Sequence, residues 1–171
     1  MKYLIVDTET TGLDPTSEIL EIAIIDNQGT TLLDTYVTPV RNQSWPGAEY
    51  IHGISPSFIF SGNFPTMQKL GPQIGGILNN NNVVIYNAEY DSQFLRTELE
   101  NSRAYCAMNA FAEYLGEWDS KRNRYKWQKL VTAAEYAGHV WNKKPHCALG
   151  DCFATLSVMK FLEQKGVRVI Q

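Results

Sequence analysis

The stretch Tyr3-Leu4-Ile5-Val6-Asp7-Thr8-Glu9-Thr10-Thr11-Gly12 joins a short apolar run to two acids and a turn. The run from Tyr3 to Val6 reads as the core of a buried strand, placed at Lys2 to Val6. Carboxylates this close to a core strand are costly unless something positive meets them. Alternate residues on a strand share a face, so Asp7 and Glu9 aim at one point. Carboxylate oxygens suit a hard divalent cation such as Mg²⁺ or Mn²⁺. Gly12 and the neighbouring threonines allow a sharp turn and bring backbone near a ligand. The competing reading is a strand that ends in a polar turn and binds nothing.

Working outward, 171 residues suffice for one domain, 1–171, with its own core. A hydrophobic content of 44% fits a globular chain rather than a disordered one. No apolar stretch is long enough to span a bilayer, so no membrane partner is expected. The first apolar run meets Asp7 too soon to be a signal peptide. Cys106, Cys147 and Cys152 form no close zinc-type pair, and their odd number argues against a disulfide framework. Reduced thiols and a cytoplasmic location are the expectation. The net charge of −3 does not advertise nucleic-acid binding. Two bound divalent cations would reverse its sign, so a metal-dependent nuclease stays compatible with it.

Further strands are expected at Ile19–Ile25, Thr30–Thr38 and Val83–Tyr86, with a short last one at Ala104–Cys106. In the second, Leu20, Ile22 and Ile24 should share one face, and Ile19, Glu21, Ala23 and Ile25 the other. The Asp26-Asn27-Gln28-Gly29 turn makes the first three strands an antiparallel meander. Pro39 to Pro65 reads as a long functional loop. Helices are expected at Thr66–Leu78, Glu89–Leu99, Trp127–Tyr136 and Ala148–Leu162. This order implies an α/β domain, one sheet with helices packed on it.

Two more acids stand where helices open. In Asn87-Ala88-Glu89-Tyr90-Asp91, Asp91 shares a helical face with Phe94 and Leu95 and should point inward. In the helix after Pro145, Asp151 borders the stripe Ala148, Cys152, Thr155, Met159 and Leu162. Capping and the helix dipole are the plainer explanations for an Asp at either place. His146 precedes Asp151 by five residues, and a lone histidine is more often structural than catalytic. Together, four acids from three places match what two-metal phosphodiester chemistry needs: ions about 3.5–4 Å apart, bridged by carboxylates. A histidine, which titrates near neutrality, suits the base that takes a proton from water.

These residues resemble the DEDDh branch of the DnaQ-like 3′–5′ exonucleases. Asp7 to Gly12 is similar to the first motif of that family, Asn87 to Asp91 with Phe94-Leu95 to the second, and His146 to Asp151 to the third. The sister branch carries tyrosine four residues before the last acid, where this chain has Cys147. His52-Gly53-Ile54-Ser55 resembles a segment between the first two motifs. The resemblance implies a ribonuclease-H-like fold with a five-stranded mixed sheet flanked by helices. It implies two Mg²⁺ ions, replaceable by Mn²⁺, on Asp7, Glu9, Asp91 and Asp151, and His146 as general base. It implies release of nucleoside 5′-monophosphates from 3′ ends. Thr10 and Leu13 match positions touching the terminal nucleotide, and His52, Asn87 and Tyr90 join them as candidate substrate-binding residues. Tyr90 stands where phenylalanine is usual and Cys152 where alanine is usual.

The leading expectation for a partner is the 3′ end of single-stranded DNA. A 3′–5′ exoribonuclease or oligoribonuclease is the nearest rival, and a non-catalytic nucleic-acid-binding or proofreading-accessory module is a different class. A second copy of the chain, as a homodimer, is a further candidate partner. Lys121, Arg122, Arg124, Lys126 and Lys129 cluster around Tyr125 and Trp127. Such a cluster either meets phosphates and bases or is a solvated charge run with Trp127 turned into the core. Trp45 likewise either stacks on substrate or covers the core.

Overall fold

In a computed structural model, residues 2–170 are described. Five strands form the main sheet: β1 (Leu4–Thr10), β2 (Ile19–Asp26), β3 (Thr31–Tyr36), β4 (Asn82–Ile85) and β5 (Arg103–Cys106). Their order is β3-β2-β1-β4-β5. The first three make the expected antiparallel meander, while β4 and β5 join parallel to β1 and to each other. Parallel pairing requires a crossover for each join, and the chain between β3 and β5 supplies them.

Period-two alternation decides what lies on each face. Leu4 and Val6 pack with Ile22, Ile24, Val83 and Ile85 on one side; Tyr3 and Ile5 pack with Ala23, Ile25 and Val84 on the other. β1 runs on past Val6 to Thr10, so Asp7 and Glu9 are strand residues that extend the row of Tyr3 and Ile5. The alternation breaks once. Ile19 was expected beside Ala23 and Ile25 but packs with Ile22 and Ile24. The ladder steps from Glu9–Glu21 to Thr10–Ile19, leaving Leu20 as an extra, bulged residue. Leu20 turns into a separate small core with Trp45, Ile54 and Ile59.

Pro39–Pro65 is not a plain loop. It contains α1 (Pro46–His52) and α2 (Pro56–Ser61), each opening on a proline, whose fixed φ suits a helix start. The Ser55 hydroxyl accepts the Phe58 N–H at 3.1 Å, and Gly53 ends α1 at φ 79°. Trp45 is buried and its indole N–H donates to the Ile54 carbonyl at 2.7 Å. It therefore covers the core.

On the Leu4 face, α3 (Met67–Leu78) buries Leu70, Ile74 and Leu78, each contributing about 1.5–3 kcal/mol by leaving water. The helix expected over Glu89–Leu99 is only α4 (Ala88–Asp91). Beyond it the chain continues in tight turns, with the Phe94 N–H on the Asp91 carbonyl and the Leu95 N–H on that of Ser92. The inward face persists, since Leu95 is fully buried. On the Tyr3 face lie α5 (Ala107–Leu115), a hairpin of β6 (Trp118–Asp119) and β7 (Arg124–Tyr125), α6 (Leu130–Tyr136) and α7 (Ala148–Gln164). Neither α5 nor the hairpin falls on an expected element, and α6 starts three residues after the expected Trp127. Trp127 is not in the core: it is 37% exposed, with the Arg124 guanidinium 3.2 Å from its ring centre. Among the described residues, no helix is long and apolar enough to cross a membrane.

Candidate active site

Asp7 and Glu9 rise from β1 on the face that α7 covers. The Cys152 thiol reaches the Ala23 carbonyl at 3.4 Å, so α7 sits close on β1 and β2 at its first turn. A Cβ on Gly150 would stand 3.2 Å from the Lys144 carbonyl, so the loop before α7 passes close over the start of that helix. That close packing sets Asp151, in the first turn of α7, against the two strand acids. Asp151 accepts the His146 N–H at 3.3 Å. His146 holds a left-handed backbone, φ 63°, which costs a side-chain-bearing residue about 1–2 kcal/mol. The strain accompanies an exposed ring. Ligand-type atoms of Glu9, His146 and Asp151 lie within 4.8 Å of one another.

Asp91 arrives from the other face. It ends α4, is buried, and accepts the Thr8 hydroxyl at 2.7 Å. Thr8 is the β1 residue between Asp7 and Glu9, so one strand presents two acids and steadies a third.

The electrostatics are one-sided. Burial, and then repulsion from Asp91, Asp151, Glu9 and Glu21, pushes the Asp7 carboxyl well above the usual range. Burial and the charges of Asp151, Glu21 and Asp91 raise Glu9 to about 9. Burial raises Asp151 to about 7 against the help of the His146 N–H, and Asp91 to about 6 against the help of Thr8. Among the described residues, no lysine or arginine forms an ion pair with any of the four. Buried acids that repel one another and lack basic partners fit a divalent cation, and their all-oxygen donor set fits Mg²⁺ or Mn²⁺.

Glu21 is the acid that the sequence reading placed on the right face but did not count. It lies opposite Glu9 in the β1–β2 ladder and is 4% exposed. Its carboxylate accepts the Ala148 N–H at 3.1 Å, and the Cys147 thiol lies 3.6 Å away. An acid within the apolar run 19–25 of β2 was the available signal.

The candidate substrate residues divide by exposure. Leu13 is 81% exposed beyond the turn. Thr10 is buried, and its hydroxyl donates to the Gly12 carbonyl at 2.8 Å. The Tyr90 hydroxyl meets both Thr10 and the Gly12 carbonyl, the latter at 2.7 Å, so it ties α4 to the turn after β1. Asn87 is half-buried and its carbonyl accepts the Tyr90 and Asp91 N–H groups. His52 is buried: its Nδ1 accepts the Ile54 N–H at 2.9 Å, which leaves Nε2 to donate to the Thr10 carbonyl at 3.3 Å. Burial holds its pKa below the usual histidine value, in keeping with that neutral tautomer.

The RNase T exonuclease family model matches residues 4–159. An uncharacterized exonuclease, CP81, of Escherichia phage 186 is 35% identical over 176 residues, covering 95% of this chain and 89% of that protein. The DNA polymerase III subunit epsilon of Rickettsia felis is 32% identical over 105 residues, covering 58% of this chain and 44% of that subunit. The fold is shared with the nuclease domain of 3′hExo, a DEDDh family member solved bound to rAMP: the TM-score is 0.73 at 16% identity, covering 99% of this chain and 96% of that one. The chain belongs to the DnaQ-like family of 3′–5′ exonucleases, enzymes of ribonuclease-H-like fold.

Proposed function

We propose that this chain, as one nuclease unit over 1–171, removes nucleoside 5′-monophosphates from the 3′ end of unpaired DNA by metal-dependent hydrolysis. The observation that carries the reading is the set Asp7, Glu9, Asp91 and Asp151, mutually repelling and without an ion-pair partner among the described residues, with the exposed His146 ring beside it. The four carboxylates would hold two Mg²⁺ ions, with Mn²⁺ as a substitute. When bound, such ions lower the pKa of water and neutralise charge on a reacting phosphate.

The chain's own residues supply the rest. An imidazole nitrogen of His146 takes the proton of the attacking water, and its exposed ring leaves room for that water. The Asp151 carboxylate, through the His146 N–H, fixes the loop from which the ring projects. The terminal nucleotide would rest against Leu13 and the Thr10–Gly12 backbone. Tyr90 braces that turn, His52 holds the Thr10 carbonyl, and Asn87 opens the helix that carries Tyr90 and Asp91.

DNA is favoured because a relative at 32% identity is a DNA polymerase subunit. The exoribonuclease reading has one observation in its favour, the rAMP carried by the DEDDh neighbour. A non-catalytic role is disfavoured, since all four acids and His146 are present and clustered. The test is nucleotide release from DNA and RNA strands of matched sequence, with Mg²⁺ or with excess chelator. Release from DNA that exceeds release from RNA and vanishes in chelator is the expected result. A preference for RNA transfers the proposal to the ribonuclease reading, and full activity in chelator overturns the metal-dependent one.

A further inference from the structure

The β6–β7 hairpin and the residues just after it expose three aromatic rings that the acid site does not use. Trp118 is 52% exposed, and Tyr125 and Trp127 are each 37% exposed. Trp118 and Tyr125 meet edge to face at 5.2 Å, and the Arg124 guanidinium sits over the Trp127 ring. With Asn109, Ala112 and Glu113 of α5 they line a cavity of about 360 Å³ open to solvent. Rings that filled the core would need no further account; rings held in place at the surface do.

The same segment concentrates positive charge. Between 117 and 129 stand Lys121, Arg122, Arg124, Lys126 and Lys129 against only Glu117 and Asp119, in a chain whose net charge is −3. Arg122 pairs with Asp119 at 3.1 Å and Lys126 with Glu117 at 3.4 Å. Those pairs fix the hairpin, and Lys121, Arg124 and Lys129 remain as surplus charge.

Position links the patch to the acids. Tyr86 directly follows β4 and stands one residue before Asn87, which opens α4 and leads to Asp91. Its hydroxyl donates to the Gln128 carbonyl at 2.8 Å, and its carbonyl accepts the Met108 N–H at the start of α5. The segment after β7 is thereby tied to the end of the sheet where Asp91 lies.

We infer that the hairpin and the Arg124–Trp127 stack form a second nucleic-acid contact, which holds the unpaired strand on the 5′ side of the nucleotide in the acid site. The inference rests on the nuclease reading above for its direction along the strand. Aromatic faces stack on any unpaired base, and cations beside them meet the phosphates between bases. The occupant is a nucleic-acid strand rather than a protein because the surplus positive charge along 121–129 is interleaved with rings, against one acid, Glu113, on the cavity wall.

The test compares the wild type with a Trp118→Ala/Trp127→Ala variant and with Lys121→Glu, whose side chain is exposed and whose folding is not in question. Binding of a fluorescent 20-nucleotide oligo-dT is read in excess chelator, where no turnover occurs. Turnover of the same strand and of a dinucleotide is read with Mg²⁺. The double variant should bind the 20-mer about tenfold more weakly and raise its KM similarly. It should leave dinucleotide kcat/KM within about twofold of wild type. Lys121→Glu should weaken 20-mer binding and lower its salt dependence by about one ion. Unchanged 20-mer binding in both variants overturns the inference and hands the surface to a protein partner. Parallel loss on the 20-mer and the dinucleotide overturns it in favour of a structural role. A wild type that binds through the hairpin but hydrolyses nothing defeats the nuclease reading and leaves the contact standing.

Discussion

Glu21 faces Glu9 directly across the β1–β2 ladder, and the first turn of α7 answers its charge with the Ala148 N–H at 3.1 Å. Like charges opposite one another weaken a strand pair, so the pairing persists through what holds Glu21. The helix N-terminus is the natural partner of a carboxylate. Glu21 is thus a positioning residue: it ties β2 to the segment that carries His146 and Asp151.

Replacing it separates its two effects. Glu21→Ala leaves a buried N–H unpaired and should destabilise the protein by about 1–3 kcal/mol, with a fall in kcat as His146 and Asp151 lose their register. Glu21→Gln keeps an acceptor oxygen and should retain most of both stability and kcat. Equal damage from the two, read by thermal melting and steady-state kinetics, would mean that the charge itself is needed.

The metal-free protein should lose stability as pH rises. Glu9, Asp151 and Asp91 titrate at about 9, 7 and 6 in the fold, against ordinary values of 4.5 for Glu and 3.8 for Asp. Between those ordinary values and the raised ones, these three acids bind more protons in the folded state than in the unfolded chain, so the stability they contribute is full below about pH 4 and drains away towards pH 9. Melting in chelator should therefore occur at a lower temperature at pH 8 than at pH 5. Mg²⁺ or Mn²⁺ binds the ionised acids and should narrow or reverse the difference. A melting temperature in chelator that rises from pH 5 to pH 8 would remove the crowded-acid account.

His146 combines an exposed ring with a strained backbone. His146→Ala should lower kcat by about 10²–10⁴, as loss of a general base does. His146→Gly should be equally slow yet more stable than His146→Ala by about 1 kcal/mol, since glycine accepts a positive φ without strain. Wild-type turnover in either variant would make the histidine structural.

Much of this site was legible because its signals are local. Asp7 and Glu9 show by alternation that they share a face, and strand β1 keeps that promise. His146 and Asp151 lie close in sequence, and one helix start holds them together. Other features depend on partners far along the chain. The bulge at Leu20 exists because β1 and β2 differ by one residue in register, and no single strand's pattern contains that difference. Glu21 gains its meaning from Ala148, 127 residues away. Pro46 and Pro56 read as loop punctuation, whereas in the fold they open α1 and α2. The periodicity that implied a helix over Glu89–Leu99 was real, but the chain satisfies it with α4 and a series of tight turns.

Tyr90 offers a finer test of the pocket wall. Its hydroxyl holds the Gly12 carbonyl, so Tyr90→Phe removes a brace of about 1 kcal/mol from the turn between Thr10 and Leu13. KM for a DNA strand should rise a few-fold with kcat nearly unchanged, because no acid is touched. A large fall in kcat with constant KM would place the hydroxyl in the chemistry instead.

The central claim is hydrolysis from a free 3′ end beside the acid cluster, and one oligonucleotide in three forms tests it most directly. With Mg²⁺, a DNA strand with free ends should yield nucleoside 5′-monophosphates. The same strand bearing a 3′ phosphate should be strongly resistant, because the added charge falls beside Asp7, Glu9, Asp91 and Asp151. The circularised strand should survive intact. Efficient cleavage of the circle would contradict the account, whatever the metal dependence.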